Sequence, residues 1–157
     1  MRDRKGSPAL EFALMAPVFF GTLLLAFEIL YAIAAKSVID TALDDSSRTA
    51  VTGGANPTDT AARRVAFETN FYAISDPLIT RANLTLGIAA CASAAQLTAS
   101  PASCRTNDPG ATGEIVQFSA TYRHQFLAQA AVCGLLGIST CPSITMHAQL
   151  VRRNEPF

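Results

Sequence analysis

The sequence predicts an α+β fold: a long N-terminal helix, transmembrane in its first half and amphipathic in its second, then a further helix packed on a small three-stranded antiparallel sheet. Residues 6–35, GSPALEFALMAPVFFGTLLLAFEILYAIAA, are apolar almost throughout and carry no charge from Phe12 to Phe27. Residues 36–52 change to apolar positions at helical spacing, and three later segments alternate apolar and polar residues with a period of two.

The first helix is read from Pro8 to Thr52, roughly 65 Å long at 1.5 Å per residue. Ser7 suits its cap and Pro8 its first turn, where a missing amide proton loses no bond. About 20 apolar residues cross a bilayer, so residues 7–35 form the transmembrane part. Pro17 removes the backbone bond to Ala13, and Gly21 follows one turn on, so a kink or loosened turn is expected between them. Beyond Lys36, the residues Val38, Ile39, Ala42, Leu43, Ser46, Thr49 and Ala50 share one face, with Asp40, Asp44, Asp45 and Arg48 between them. Gly53-Gly54 ends the helix. The second helix is expected to take Asn56 as its cap, Pro57 as its first residue and Asp59 in its first turn, and to stop at Asp76-Pro77.

Strands are expected over residues 83–89, 115–123 and 143–152. Leu84, Leu86 and Ile88 alternate with polar or small residues in the first; Val116, Phe118, Ala120 and Tyr122 do so in the second; Ile144, Met146, Ala148 and Leu150 do so in the third. One face of such a sheet is buried, here against the helices, and the other is wet. Residues 93–113 read as a Ser/Ala/Thr-rich loop, and residues 125–140 as a short apolar helix. No internal repeat is apparent.

The length, 157 residues, favours one domain beyond the membrane segment: a leader at 1–6, the membrane helix at 7–35 and an extracytoplasmic domain at 36–157. Charged residues are only 15% and the formal net charge is zero, with no basic run after Arg2, Arg4 and Lys5, so nucleic-acid binding has no electrostatic footprint. Cys91, Cys104, Cys133 and Cys141 all follow the membrane helix, as an oxidising compartment would favour. Of three possible pairings, Cys91–Cys104 and Cys133–Cys141 are preferred because each closes a short local loop. A metal site is not expected: there is no Cys-x-x-Cys, and His124 and His147 are not spaced as ligands. Both histidines are read as surface residues. No nucleophile elbow, phosphate loop or zinc-protease motif occurs, so catalysis and cofactors are not expected.

The N-terminal stretch admits three readings. It could be a secretory signal cut after Ala34, since Ala32-Ile33-Ala34 is a small-residue site; but the apolar run exceeds the roughly 7–15 residues of such a signal and contains Glu28. It could be an uncleaved anchor for an envelope scaffold. In the third reading a short basic leader is cut after Gly6, making Ser7 the first residue and Glu11 the fifth. That order of basic residues, Gly, four residues, Glu, aromatic and apolar helix resembles the processing site of type IV pilin-like proteins. The block Gly6, Glu11-Phe12-Ala13-Leu14, Pro17, an apolar run and Glu28 resembles more closely the TadE-like family, minor pilins (pseudopilins) of tight-adherence (Tad) pili. The specific motif covers about the first quarter of the chain.

The resemblance implies a pilin-like α+β domain, cleavage by a prepilin peptidase at Gly6 and Ser7, and a part in pilus assembly or initiation that supports adhesion. Glu11, Phe12, Pro17 and Glu28 are the assembly candidates. The implied partners are the major pilin, other minor pilins, the peptidase and the inner-membrane assembly platform. The basic leader should stay cytoplasmic, placing the domain in the periplasm or outside. A charge in hydrocarbon is costly unless paired, so Glu11 is expected to pair with the amine freed at Ser7, on its own or a neighbouring subunit. Glu28, 17 residues on and about 25 Å along the axis, is expected near the outer membrane face, open to water.

Overall fold

The computed structural model describes residues 7–52, 58–76, 78–99, 103–126, 133–134, 137 and 143–155. Two compact units are present. One comprises Met1–Ala34 with Gln125–Ser143, and the other Ala35–His124 with Ile144–Phe157.

Helix α1 runs from Ser7 to Val51 without a break, Pro17 included. The Thr22 hydroxyl donates to Phe19 O at 2.8 Å, one turn beyond the proline. In the second unit α1 buries Ala35, Ile39, Ala42, Leu43, Ser46, Ser47, Ala50 and Val51; five of these are positions expected from spacing, whereas Val38 and Thr49, expected on the same face, are half-buried. The glycine pair expected to end it lies outside the described residues. Helix α2 spans Thr60–Ser75, and its cap is Asp59, whose carboxylate accepts from Ala62 N. This corrects the expectation that Asp59 lies inside the helix; Asn56 and Pro57 are outside the described residues. Asp59 prevails because its carboxylate reaches a first-turn amide, as a cap must. Asp76 ends the helix as anticipated.

The sheet has four strands where three were expected: β1 (Leu84–Cys91), β2 (Arg105–Thr106), β3 (Ile115–Gln125) and β4 (Ser143–Arg153), in the order β2-β1-β3-β4. The additional strand, two residues long, lies in the segment read as loop, as does the short helix α3 (Ala94–Ala99). Two residues are too few for a period to register; tertiary closure places β2 on β1, antiparallel, with Ala90 opposite Arg105. β1 pairs antiparallel with β3 from Leu84–Tyr122 to Cys91–Ile115. The alternation in β3 is carried through: Val116, Phe118, Ala120 and Tyr122 are buried. His124 continues this inward set and is buried, its ring 6.2 Å from that of Tyr122, which corrects its reading as a surface residue. The strand is two residues longer than its apolar alternation, and the parity carries His124 inward. His147 is on the exposed face, as expected. Ile144, expected on the buried face, is 44% exposed at the start of the edge strand.

The core forms where α2 lies on the sheet. Phe67 is 5.0 Å from Phe118 and 6.2 Å from Phe71, ring centre to centre, and all three are fully buried. Asn70 Nδ2 donates to Asp45 at 3.0 Å, joining α2 to α1, and Arg152 joins β4 to α1 through Ser47 Oγ at 2.7 Å and through Asp44.

Candidate functional site

Two regions can carry function: the apolar first half of α1 and the polar cluster around its C-terminal end. In the first, large apolar side chains stand exposed on every side of the helix, from Leu10, Phe12, Leu14 and Met15 to Leu30 and Ile33. Phe12 is 70% exposed. A water-exposed helix keeps one polar face, whereas one that is apolar all round belongs in lipid or inside an assembly. This helix is long and apolar enough to cross a membrane.

Glu11 is exposed, one helical turn from Ser7. Gly6, the expected processing residue, lies outside the described residues. Pro17 sits within the continuous helix, so Ala13 O receives no bond from the residue four later. Glu28 departs from expectation. Its spacing puts it at the outer membrane face, open to water, yet it is 8% exposed, while the other described side chains from Ala9 to Ala34 are exposed or half-exposed. A burial confined to one position of a helix reflects tertiary packing, which one-dimensional spacing cannot register. The structure therefore separates the two carboxylates: Glu11 is presented outward and Glu28 is enclosed.

Cys91 is bonded to Cys104, the pairing preferred from loop length, and both are buried. Cys133 is buried as well; the expected pair Cys133–Cys141 lies in part outside the described residues, since Cys141 is not among them. Among the described residues no cysteine is free, and no three histidine, cysteine or carboxylate side chains gather as metal ligands would.

The second region was not singled out from the sequence. Arg63 is buried on the α2 face that also carries Phe67, Phe71 and Ser75. Its Nε donates to Ala50 O at 2.8 Å, Nη1 to Gly110 O at 2.7 Å, and Nη2 to Pro109 O at 3.2 Å and Asn154 Oδ1 at 3.1 Å. Desolvation lowers the Arg63 pKa from its ordinary value, and the nearby Asp108 charge opposes the shift. Asn154 Nδ2 donates to Pro109 O at 2.8 Å and Ala111 O at 2.9 Å. Arg105 bonds Asp108 at 2.8 Å and reaches both oxygens of Glu114 at 3.0 and 2.5 Å. The Arg105 bonds and the Ala111 amide hold Glu114 below the usual carboxylate range. Burial acts to raise Asp108, but Arg105 and the Gly110 amide outweigh it and the net shift is downward. The available signal was Arg63 itself, a charge at i, i+4 and i+8 spacing with Phe67 and Phe71 on an apolar face. Only the fold could supply its acceptors.

No curated protein and no solved structure matches this chain. Residues 6–48, which span the exposed apolar run, Glu11, Pro17 and Glu28, match the family model of TadE-like protein, and the resemblance drawn from the Gly6 and Glu11-Phe12-Ala13-Leu14 block holds over that segment.

Proposed function

We propose that the protein is a minor pilin, or pseudopilin, of a Tad-type pilus. It is inserted in the bacterial inner membrane with its N-terminus cytoplasmic and its later domain on the far side. A prepilin peptidase cuts it after Gly6, and it then takes part in pilus assembly or initiation and so supports adhesion. Its partners are the major pilin, sister minor pilins and the assembly platform, and its role is assembly rather than catalysis. The observation that carries this reading is the TadE-like match over residues 6–48, laid on a helix whose apolar surface is open all round.

In this reading Glu11 acts after cleavage. Before it, the chain continues into Lys5 and no free amine exists; afterwards an ammonium at Ser7 lies one turn from the carboxylate, or is offered to the carboxylate of an adjacent helix. A displaced subunit would leave one charge unpaired in a low-dielectric bundle, so the contact favours one vertical register.

The test is the N-terminus of the native protein, by sequencing and intact mass. The expected start is Ser7. A start at Ala35 would indicate a domain released by signal peptidase, and an intact Met1 an uncleaved anchor. Gly6→Val should leave the leader in place, since a peptidase that closes on backbone there has little room for a branched side chain. Glu11→Gln should leave membrane insertion and most cleavage intact but sharply lower co-purification with partner pilins. Undiminished recovery of partners would refute the pairing at Glu11.

A further inference from the structure

Arg63 gathers acceptors from segments far apart in sequence, and those segments share one task. Ala50 O and Val51 O belong to the last turn of α1, where backbone carbonyls have no partner within the helix. Arg63 Nε takes the first at 2.8 Å, and the backbone amide of Glu155, near the chain's end, takes the second at 3.3 Å. The tail is held in turn by the loop before β3: Asn154 N donates to Glu114 O at 2.9 Å, and Gly113 N donates to Asn154 O at 3.2 Å. That loop is fixed from its other side. Cys104 is bonded to Cys91 of β1, and Arg105, the next residue, pairs with Ala90 and holds Asp108 and Glu114. Asp108 Oδ1 accepts from Gly110 N at 2.8 Å, setting the turn whose carbonyls face Arg63.

We propose that residues 105–114 and the tail residues Asn154 and Glu155 form a strap, fastened by Arg63, that closes the C-terminal end of α1, and that the Cys91–Cys104 disulfide holds the strap in its closed arrangement. A latch of this kind makes the hold on Ala35–Val51 depend on Asn154 and Glu155 and on oxidation. Arg105 aligns the loop, Arg63 takes Ala50 O while its other nitrogens are held by Pro109 O, Gly110 O and Asn154 Oδ1, and the Glu155 amide takes Val51 O. A guanidinium suits the task because its planar fork addresses several oxygens at once, whereas an ammonium on the same stem would reach fewer. The strap is independent of the pilus reading, since every residue in it lies in the second unit.

The experiment is amide hydrogen exchange on the full-length protein in detergent micelles. Gly113, Asn154 and Glu155 report the strap, and the β1–β3 ladder serves as reference. In Arg63→Lys, strap amides should exchange at least about tenfold faster with the ladder unchanged, as for a local opening below the global one. Asn154→Ala, which keeps the buried guanidinium, should do the same and provides the answer if Arg63→Lys fails to fold. The double variant Cys91→Ala/Cys104→Ala should also free the strap, and adding Arg63→Lys to it should give little further increase, because both act on one opening. Wild-type protection of the strap in Asn154→Ala would overturn the proposal. So would a disulfide variant that loosens only residues 94–104, or ladder and strap amides rising together in every variant, which would make the strap an ordinary part of the core.

Discussion

Arg63 places a full charge where the α2 pattern asks for an apolar side chain, and it is tolerated because its donors meet carbonyl and amide oxygens. Removing it leaves those acceptors buried without a donor. Arg63→Met is therefore expected to destabilise the protein by about 2–4 kcal/mol, read from the urea midpoint at unchanged slope. Glu114 links the same cluster to pH. Its folded pKa is depressed by Arg105 and by the Ala111 amide, so its contribution is present above the unfolded value of about 4.3 and is lost as pH falls through the lower folded value. Thermal stability should be level from neutral pH to about 5 and decline below about 4, and Glu114→Gln should flatten that decline. Ser46 and Ser75 show the opposite case: both hydroxyls are buried with no hydrogen-bond partner among the described residues. Ser46→Ala and Ser75→Ala should each raise stability by about 1 kcal/mol in the same denaturation experiment.

Among the elements, the loop from α3 to β3 depends most on backbone geometry. Gly110 has φ +75°, and a Cβ there would stand 3.1 Å from Ala90 Cβ, Asn154 Nδ2 and Glu114 Oε2. Gly110→Ala combines a left-handed backbone penalty of about 1–2 kcal/mol with displacement of the side chains that hold the tail. Its expected signature is loss of protection at Asn154 and Glu155 ahead of global unfolding. The disulfide acts on the same element; it joins cysteines 13 apart in sequence and should stabilise the protein by roughly 2–4 kcal/mol. At the sheet, Phe118→Ala removes the ring that α2 packs on, and a loss of about 3–5 kcal/mol is expected.

For the molecule as a whole, the two halves of α1 present different surfaces. The first presents apolar side chains outward in all directions, while the second has a buried stripe and a charged face with Lys36–Asp40 and Arg48–Asp44 pairs. The protein should therefore remain with the membrane fraction through high-salt and carbonate washes and leave it only in detergent. Recovery in the wash supernatant would contradict a spanning helix. Surface ion pairs of this kind contribute little to stability.

Much of this architecture is written in local pattern. A run of side chains free of charge needs no partner to be recognised, so the apolar first half of α1, the amphipathic continuation to Val51 and the inward residues of β3 could all be read from spacing alone. The Cys91–Cys104 bond was legible because the two cysteines, 13 apart in sequence, close a short local loop. What the sequence could not register is whatever depends on a second segment arriving. Strand β2 exists only because β1 accepts its two residues; Glu28 is enclosed only because its helix is packed at that point; and His124 turns inward because β3 outlasts its apolar pattern. Arg63 belongs with these. Its place on an apolar face was visible, but its partners are carbonyls of Ala50, Pro109 and Gly110 and the amide of Asn154. Backbone carbonyls are common to every residue and carry no sequence signature, so only tertiary structure decides which of them a buried guanidinium finds.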